Sequence, residues 1–508
     1  MRHPGDYFSS LGVEMEMPTA ALETGHSHSV GLFFQNLQAL WARRNTTTRI
    51  VQSQGRDCGL HSPHGLHAID NGYNNLESSL GPVPGTPASL DILAGQINQE
   101  LRDVARVLAL EQAMVVNFSE HPFVIVDEKF YYNVRAPRSI YDYQIDHRGW
   151  NHMSGLDAKA HNSPSTGMPV ELAIAGLNCL LGLAPAFIAL YANSPFEAGR
   201  VTGLKENRLS IWPRQMDCSL MPGDHKLHMP PDRPFRNLAD YLFWMFGPGT
   251  NMWFASIGNE GKNPEDIYLA SDSFCLLDFL RAKSVLAYPA DGGPGKAVVP
   301  KIDHLVYHQF TQYSDCRVRY GLIGGHGPDL GDFMDVMDNH PDKLEGLLAP
   351  YLSYCYLEGR AAGANFPDRE LLGLNPEAIA ASVAVSPSAL QTGLLQNLDQ
   401  ARKLLSGYVW SDLLGLRQET IRYALDAEFK GIKAKDLCAR VLEVAGEGLS
   451  SGQAWMLAYP KWVLETGKTG ADRAVASLER MPGRPEEGLW RLIRERRMIP
   501  PGPETRSE

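Results

Sequence analysis

The chain lacks an excess of positive charge, and this limits the partners that it can have. Its 508 residues carry 47 Lys and Arg against 58 Asp and Glu, which gives a formal net charge of −11. Proteins that bind nucleic acids need a basic surface to neutralise phosphates. We therefore expect no nucleic-acid partner.

Long apolar runs are also absent. No stretch reaches the roughly 20 residues that a helix needs to span a bilayer, and residues 1–6 lack the apolar segment that secretory signals contain. The sequence therefore predicts a cytoplasmic protein with no membrane partner.

Cysteine is sparse and dispersed, with seven residues and no CxxC pair. An odd, scattered number of cysteines is typical of reduced thiols, not of a disulfide framework. One local cluster combines thiol and imidazole groups, namely Cys58, His61, His64 and His67. This spacing matches no common zinc pattern, so we favour a polar loop and keep a zinc site as the alternative.

Two carboxylates stand two residues apart near the N-terminus, in Leu11-Gly-Val-Glu-Met-Glu-Met-Pro18. On a strand, residues i and i+2 share a face. Glu14 and Glu16 are therefore predicted to project together, with Val13, Met15 and Met17 on the other side. Like charges this close repel each other, and a bound cation is the usual relief.

The periodicity of the rest of the chain changes about two-thirds of the way along. Before that point short strand-like runs alternate with helices, including an apolar helix over 170–190 and, before it, a polar loop that follows His161. After about residue 342 the pattern is helical, at 342–363, 387–405, 411–428, 434–448 and 471–480. We predict an α+β body over residues 1–340 that carries the site, and a mainly helical portion over 341–508 packed on it.

Two further acids follow in a second strand-like segment, Asp70 near its start and Glu77 near its end. If this segment pairs with the Glu14 strand, the four carboxylates meet on one face of a sheet. Oxygen ligands of this kind suit Mg²⁺ or Mn²⁺. The alternative is an exposed polar face on an antiparallel sheet.

Four blocks in the chain resemble, in order, the glutamate–cysteine ligase family of the plant-like and actinobacterial type. The first metal-binding strand of that family is similar to Gly12-Val-Glu-Met-Glu16, and a later strand with a paired acid and a second glutamate is similar to His67–Ser78. The remaining blocks are Leu190-Tyr-Ala-Asn-Ser-Pro-Phe-Glu-Ala-Gly-Arg200 with Arg208-Leu-Ser-Ile-Trp212, and Phe310-Thr-Gln-Tyr-Ser-Asp-Cys-Arg-Val-Arg319.

The resemblance implies an ATP-dependent ligase on a glutamine-synthetase-like antiparallel sheet with flanking helices. In such enzymes the γ-carboxylate of glutamate is phosphorylated by ATP, and an amine such as cysteine attacks the acyl phosphate. The resemblance implies metal ligands at Glu14, Glu16, Glu77 and Asp70. It further implies anion clamps at Arg200 and Arg208, and cofactor contacts from Trp212, Arg317 and Arg319. The expected partners are small-molecule amino acids and amines, with ATP and Mg²⁺ or Mn²⁺.

One family motif is missing from its expected place. A Leu-Glu-x-Arg sequence should follow the strand that ends at Arg319, but its acid falls on Ile323 and its arginine on Gly325. Phosphoryl transfer depends on positioned charge, so this absence is serious. We hypothesise that Asp157 and Lys159, which would share a strand face with His161, replace the lost acid and cation. Ordinary salt bridges on an edge strand are the alternative.

Three functions therefore remain open. The first is a ligase with a remodelled pocket. The second is a member of the family that kept its ligand cleft but lost turnover, and acts as a binding or partner subunit. The third is a metal-dependent hydrolase that uses the same carboxylates without a nucleotide.

Overall fold

The computed structural model of the protein describes residues 9–154, 159–255, 267–271 and 273–502. Sixteen strands occur within these ranges, nine of them in one large sheet. In chain order they are β1 (Ser10–Ala21), β2 (Arg49–Ser53), β3 (Arg56–Ser62), β4 (Gly65–Ile69), β5 (Asn75–Pro84), β6 (Ala113–Val115), β7 (Asn162–Gly167), β8 (Phe196–Glu197), β9 (Arg200–Val201), β10 (Tyr268–Ala270), β11 (Val285–Pro289), β12 (Lys296–Val298), β13 (Cys316–Leu322), β14 (Leu352–Gly359), β15 (Glu428–Phe429) and β16 (Ile432–Lys433).

The large sheet is antiparallel throughout, and β1 lies at its centre. The strand order is β13-β14-β7-β1-β5-β4-β3-β2, and β6 pairs with the C-terminal end of β1. Strands β13 and β14 come late in the chain but pair with each other and, through β14, with β7. The longest pairing in the sheet, Glu358 with Ser165, therefore joins residues that are 193 positions apart in sequence.

The described helices are α1 to α21 in chain order. They are α1 (Phe33–Ala42), α2 (Ser89–Leu110), α3 (Glu128–Val134), α4 (Ser139–Asp146), α5 (Val170–Gly182), α6 (Ala184–Tyr191), α7 (Ile211–Met216), α8 (Leu238–Phe246), α9 (Leu276–Arg281), α10 (Asp303–His308), α11 (Leu330–Asn339), α12 (Leu344–Leu348), α13 (Arg369–Leu372), α14 (Ala378–Ser382), α15 (Ser386–Gln396), α16 (Leu398–Ser406), α17 (Trp410–Tyr423), α18 (Ala434–Gly448), α19 (Ala458–Thr466), α20 (Gly470–Glu479) and α21 (Pro485–Glu495).

One face of the large sheet is covered by helices, and the alternation along β1 explains why. Leu11, Val13, Met15 and Met17 are fully buried on that face, as the two-residue period predicts. Helices α2, α5 and α15 pack against the sheet. Burial of this apolar surface is the main source of stability for such a layered structure. The predicted α+β class with an antiparallel core and flanking helices is confirmed.

The portion after residue 341 is mostly helical, as predicted. The prediction of one helix over 342–363 is wrong for the second half of that range. Helix α12 ends at Leu348, Pro350 follows, and Leu352–Gly359 forms strand β14 of the large sheet. Tyr354 and Tyr356 alternate with Cys355 and Leu357, a composition that favours a strand. The division of the chain into two parts at residue 340 stays a prediction. Strand β14 follows that boundary in the sequence but belongs to the large sheet of the first part.

Two other segments differ from expectation. The polar run after His161 is not a loop but strand β7, which lies between β1 and β14 with Pro164 opposite Val13. The apolar helix over 170–190 is broken at Leu183 into α5 and α6, where Pro185 occupies the first turn of α6. No single described helix is long and apolar enough to cross a membrane; the bent α5–α6 pair meets the criterion by length and composition only.

Candidate active site

The acidic side chains predicted from the sequence meet on the face of the sheet opposite α2, α5 and α15. Glu16 on β1 is the direct cross-strand partner of Glu77 on β5, and Asp70 follows the end of β4. Oxygen atoms of Glu16, Asp70 and Glu77 lie within 4.8 Å of one another. Within the ranges that the structure describes, no other group of His, Cys, Asp or Glu side chains comes together in this way. Glu14 lies on the same face and lines the same cavity, whose volume is about 250 Å³.

These carboxyl groups hold protons unusually well. Burial, reinforced by Glu14 and Asp70, raises the pKa of Glu77 to about 8. Burial and the nearby Glu358 raise the pKa of Glu14 to about 7. Burial also raises the pKa of Asp70, and burial together with Asp70 and Glu77 raises that of Glu16 well above its usual range. Such a set relieves its repulsion by binding either protons or a cation, and carboxylate oxygens suit Mg²⁺ or Mn²⁺.

The other end of the cavity floor is basic. Glu358 on β14 pairs with Arg317 of β13 at 2.7 Å and with Arg360 at 2.8 Å, and Arg319 lies 3.7 Å away. Although burial alone would raise it, the three guanidinium groups hold the pKa of Glu358 at about 2. One carboxylate therefore faces three cations, and this end of the cavity keeps a net positive charge.

Glu358 and Arg360 were missed by the sequence reasoning, and they correct it. Leu357-Glu-Gly-Arg360 spells the Leu-Glu-x-Arg motif that seemed lost at Ile323 and Gly325. Ile323 instead follows the end of β13 in an exposed turn, and the chain forms α11 and α12 before it returns as β14. The motif stands about 35 positions further along the sequence than expected, and the antiparallel pairing of β13 with β14 places Glu358 directly opposite Arg317.

Aromatic side chains and one further arginine close the remaining sides of the cavity. Trp212 packs against Tyr313 at a ring-centroid distance of 4.7 Å, and Trp150 meets the same tyrosine edge-on at 5.9 Å. Arg138 lies above Asp70, and its guanidinium donates to the Asp70 backbone carbonyl at 3.5 Å. Trp212 therefore lies in the cavity wall, as predicted. Its contact with a cofactor or substrate stays a prediction.

His161 lies between the acidic and basic ends. Its backbone N–H donates to Oε2 of Glu16 at 2.9 Å, and its Nε2 lies 3.3 Å from Oε1 of the same carboxylate. Burial, with Arg360, Arg208 and Arg317 nearby, lowers the pKa of His161 well below its usual value. The imidazole is therefore neutral and able to bond to a protonated Glu16 or to a ligand.

The predicted anion clamps have different positions. Arg208 lines the cavity, but its Nε bonds to buried Glu206 at 2.9 Å and its Nη2 to the Arg360 carbonyl at 3.3 Å, so it supports the end of β14. Arg200 does not reach the cavity. It is exposed on the short ribbon β8–β9 and lines a different cleft, which corrects its expected role as a clamp.

The hypothesis of a substitute acid and cation is not needed to supply charge. Asp157 lies outside the described residues. Lys159 lines the cavity, but its Nζ bonds to buried Glu120 at 2.8 Å and lies 3.8 Å from Glu197. Lys159 was expected to stand in for the arginine missing at Gly325. Arg360 places a guanidinium group in the cavity instead.

The cluster of one thiol and three imidazoles does not form a zinc site. The Cys58 thiol is buried and donates to the Val51 carbonyl at 3.5 Å, and His67 bonds to Glu100. The cysteines in the described ranges are free thiols, as expected.

Comparison with known proteins agrees with this geometry. The sequence model of glutamate-cysteine ligase family 2 matches residues 68–240, about a third of the chain. The resemblance to the glutamate–cysteine ligase family is confirmed. The matched segment contains Asp70, Glu77, Arg138, Arg208 and Trp212, whereas Glu14, Glu16 and the β13–β14 pair lie outside it. No curated protein matches the chain.

A solved structure of a glutamate–cysteine ligase shares the fold. Glutamate–cysteine ligase from Francisella tularensis, in complex with AMP, superposes with a TM-score of 0.51 over 96% of this chain and 88% of its own, at 10% identity. A bifunctional glutathione synthetase from Pasteurella multocida gives a TM-score of 0.41 at 11% identity, with 96% of this chain and 52% of that chain covered. At these identities the first likeness concerns the fold alone, and the second carries no argument.

Proposed function

We propose that the protein is an ATP-dependent carboxylate–amine ligase. It would join the γ-carboxylate of glutamate, or of a similar amino acid, to an amine such as cysteine through an acyl phosphate. The observation that carries the proposal is the division of one cavity floor into an acidic end and a basic end. A metal–triphosphate has the same division of charge, since its cation needs carboxylates and its phosphates need guanidinium groups.

The acidic end fits a divalent cation. Glu16, Asp70 and Glu77, with Glu14 beside them, would hold Mg²⁺ or Mn²⁺, which when bound neutralises the charge of the triphosphate. Their raised pKa values support this role, because the site otherwise holds protons on buried, mutually repelling groups. The AMP bound to the Francisella tularensis enzyme, which shares the fold, supports a nucleotide as the second occupant.

The basic end fits phosphate and carboxylate oxygens. Arg317 is held in place by Glu358 and by the Phe310 and Gln312 carbonyls, and Arg360 by Glu358, so their remaining N–H groups are oriented before a ligand arrives. One guanidinium group can bind two such oxygens at once through two parallel N–H···O hydrogen bonds. Charge that develops on the transferring phosphoryl group would be stabilised by these preorganised donors.

The aromatic wall suits the same chemistry. Water hydrolyses acyl phosphates in competition with the attacking amine, so a ligase must keep water out. Trp150, Trp212 and Tyr313 pack together and line the same cavity as the carboxylates. They would limit access of water to an acyl phosphate held above the sheet.

The alternative, a family member without turnover, was suggested by the missing Leu-Glu-x-Arg motif. Glu358 and Arg360 would supply the acid and the arginine of that motif, so this alternative is less well supported. The third function, a metal-dependent hydrolase, can be distinguished from a ligase by experiment, since a hydrolase would be active without a nucleotide.

The test is release of ADP with ATP, Mg²⁺, glutamate and a panel of amines that includes cysteine, with the amide product identified by mass. We expect turnover with at least one pair, loss of turnover in Glu77→Gln, and unchanged turnover in Glu443→Gln, a surface substitution of the same kind. If no donor acid and amine produce ADP, or if hydrolysis proceeds without ATP, the proposal is wrong.

A further inference from the structure

The face of the sheet opposite the carboxylates holds a second polar cluster, formed by Ser62, His67 and Glu100. Ser62 ends β3, and His67 on β4 is paired with Ser78 on the face away from Glu77. Glu100 lies on α2, which packs against β5. His67 and Glu100 are 1% and 4% exposed, whereas Ser62 is partly exposed at the β3–β4 hairpin. The proposed ligase chemistry uses none of these three residues.

The three side chains form a linear relay. Ser62 Oγ lies 3.1 Å from Nε2 of His67, and Nδ1 of His67 lies 2.8 Å from Oε1 of Glu100. The Glu100 carboxylate also accepts a 2.6 Å hydrogen bond from Ser78 Oγ. The Trp41 ring packs edge-on against the imidazole at a centroid distance of 4.6 Å. These contacts fix both the position and the orientation of the histidine ring.

The hydrogen bonds also determine which ring nitrogen carries the proton. A carboxylate can only accept hydrogen bonds, so Nδ1 of His67 must donate to Glu100. The lone pair is then on Nε2 and faces the Ser62 hydroxyl. Ser62 Oγ accepts a 3.1 Å hydrogen bond from the His64 N–H, and the Gly65 carbonyl, at 3.4 Å, is a more distant acceptor for its proton than His67 is.

We propose that Ser62, His67 and Glu100 form a second catalytic site, which transfers acyl groups from carboxylic esters. Ser62 is the nucleophile, His67 the general base, and Glu100 a positioning residue that holds the imidazole in the productive tautomer. A serine, a histidine and an acid in this geometry activate the hydroxyl on unrelated folds, because the arrangement and not the sequence order sets the chemistry.

A cavity beside the imidazole indicates the kind of ester. It has a volume of about 650 Å³, and its lining combines polar side chains such as Gln96 and Gln99 with the apolar Leu80 and Ile92. His67 belongs to this lining, whereas Ser62 adjoins it through its contact with His67. Of the charged residues in its wall, Arg44 and Asp103 are bonded to each other at 2.6 and 2.8 Å, and Glu100 is bonded to His67. A short, uncharged acyl group therefore fits this cavity better than an anion.

The reaction balances without a cofactor. Ser62 Oγ forms a bond to the ester carbonyl carbon while Nε2 of His67 takes the hydroxyl proton. The bond from that carbon to the alkoxy oxygen then breaks, and the leaving alcohol receives the proton from His67. Water attacks the acyl-serine in the same way and releases the carboxylic acid, which restores Ser62.

The test is labelling of the full-length chain with a fluorophosphonate, in the absence of nucleotide, metal ion and amino acid, with the adduct mapped by peptide mass spectrometry. We expect one adduct at Ser62, hydrolysis of a short p-nitrophenyl ester, and loss of both in Ser62→Ala. His67→Gln should slow labelling by about 100-fold or more, because a general base contributes at least that much. Ser53→Ala is the matched control, since the Ser53 hydroxyl donates to the Pro137 carbonyl and not to a histidine.

A purely structural hydrogen-bond network would give a different result. Because His67 is buried and its replacement could unfold the sheet, Glu100→Gln and Glu100→Asp form a second pair. We expect Glu100→Gln to slow labelling and Glu100→Asp to restore part of the rate at unchanged far-ultraviolet circular dichroism. Absence of an adduct at Ser62, or equal labelling rates in wild-type and Glu100→Gln, would overturn the proposal. The assay needs no ATP, so its failure is distinct from failure of the ligase proposal.

Discussion

Glu358 and Arg317 are cross-strand partners on β14 and β13, and their side chains form a 2.7 Å ion pair in the floor of the cavity. On the same sheet face, Glu16 and Glu77 are also cross-strand partners, but both are acids. The two pairs have opposite electrostatic environments. The pKa of Glu358 is held at about 2, and that of Glu77 is raised to about 8.

This contrast predicts opposite effects of the same substitution on stability. Without metal at about pH 8, Glu358→Gln should lower the free energy of unfolding by about 3 kcal/mol or more, because it leaves buried arginines without their counter-charge. Glu77→Gln should be neutral or stabilising under the same conditions, because it removes a charge that its neighbours repel. Chemical denaturation of the metal-free variants measures both values. Destabilisation of equal size in the two variants would contradict this electrostatic description.

The raised pKa values also predict how stability depends on pH. The folded protein binds more protons at Glu14 and Glu77 than the unfolded chain does, so this contribution is present below about pH 4.5 and is lost as the pH rises through about 7 to 8. Each unit by which a pKa is raised corresponds to about 1.4 kcal/mol. The free energy of unfolding of the metal-free protein should therefore fall between about pH 5 and pH 8.

Mg²⁺ should reverse this loss, because it replaces the protons. We expect the rise in melting temperature on addition of Mg²⁺ to be larger at about pH 8 than at about pH 5.5. The Glu77→Gln protein should show a smaller rise, and Glu443→Gln the same rise as the wild type. An increase that is independent of pH would indicate a metal site elsewhere.

The arginines at and away from the cavity should differ in their effect on turnover. Arg360→Lys keeps one positive charge but loses paired N–H donors, so we expect kcat/KM for ATP to fall by about 10-fold or more. Arg200→Lys alters an exposed side chain outside this cavity and should change the same constant by less than about twofold. Steady-state kinetics of the two variants provide the comparison. A larger effect at Arg200 would restore it as a clamp.

The aromatic wall is expected to control the fate of the acyl phosphate. Trp212→Ala removes the ring that packs against Tyr313 and opens the cavity to water. ADP release should then exceed amide formation, whereas we expect the two to be equal in the wild type. The ratio of phosphate to amide product measures this uncoupling, and Trp490→Ala, which alters a ring stacked on His26, is the control. An unchanged ratio would exclude Trp212 from water exclusion.

Much of the acidic end followed from local sequence. Glu14 and Glu16 share a face because the strand period is two, and this needs no knowledge of the rest of the chain. The convergence of Glu16 with Glu77 needed only the assumption that two nearby strands pair. Sequence patterns were informative here because the relevant contacts are local to β1, lie between the neighbouring strands β4 and β5, or join β1 to β5 in the same sheet.

The basic end was predicted in part: Arg317 and Arg319 line the cavity, but Glu358 and Arg360 were missed because their position depends on non-local structure. Glu358 and Arg360 stand next to Arg317 only because a helical insertion closes on itself between β13 and β14. A search for Leu-Glu-x-Arg further along the chain would have found Leu357–Arg360. β7 was missed because Asn, Ser, Pro, Thr and Gly are turn formers, and only pairing with β1 and β14 makes a central strand of them.

The central claim is that the acidic and basic ends bind one metal–polyphosphate together. Calorimetric titration with a non-hydrolysable ATP analogue tests it most directly, with and without Mg²⁺, on the wild type and on Glu77→Gln. The account predicts a single site that requires Mg²⁺ and is lost in Glu77→Gln. Equal affinity without Mg²⁺, or unchanged Mg²⁺-dependent binding in Glu77→Gln, would contradict it.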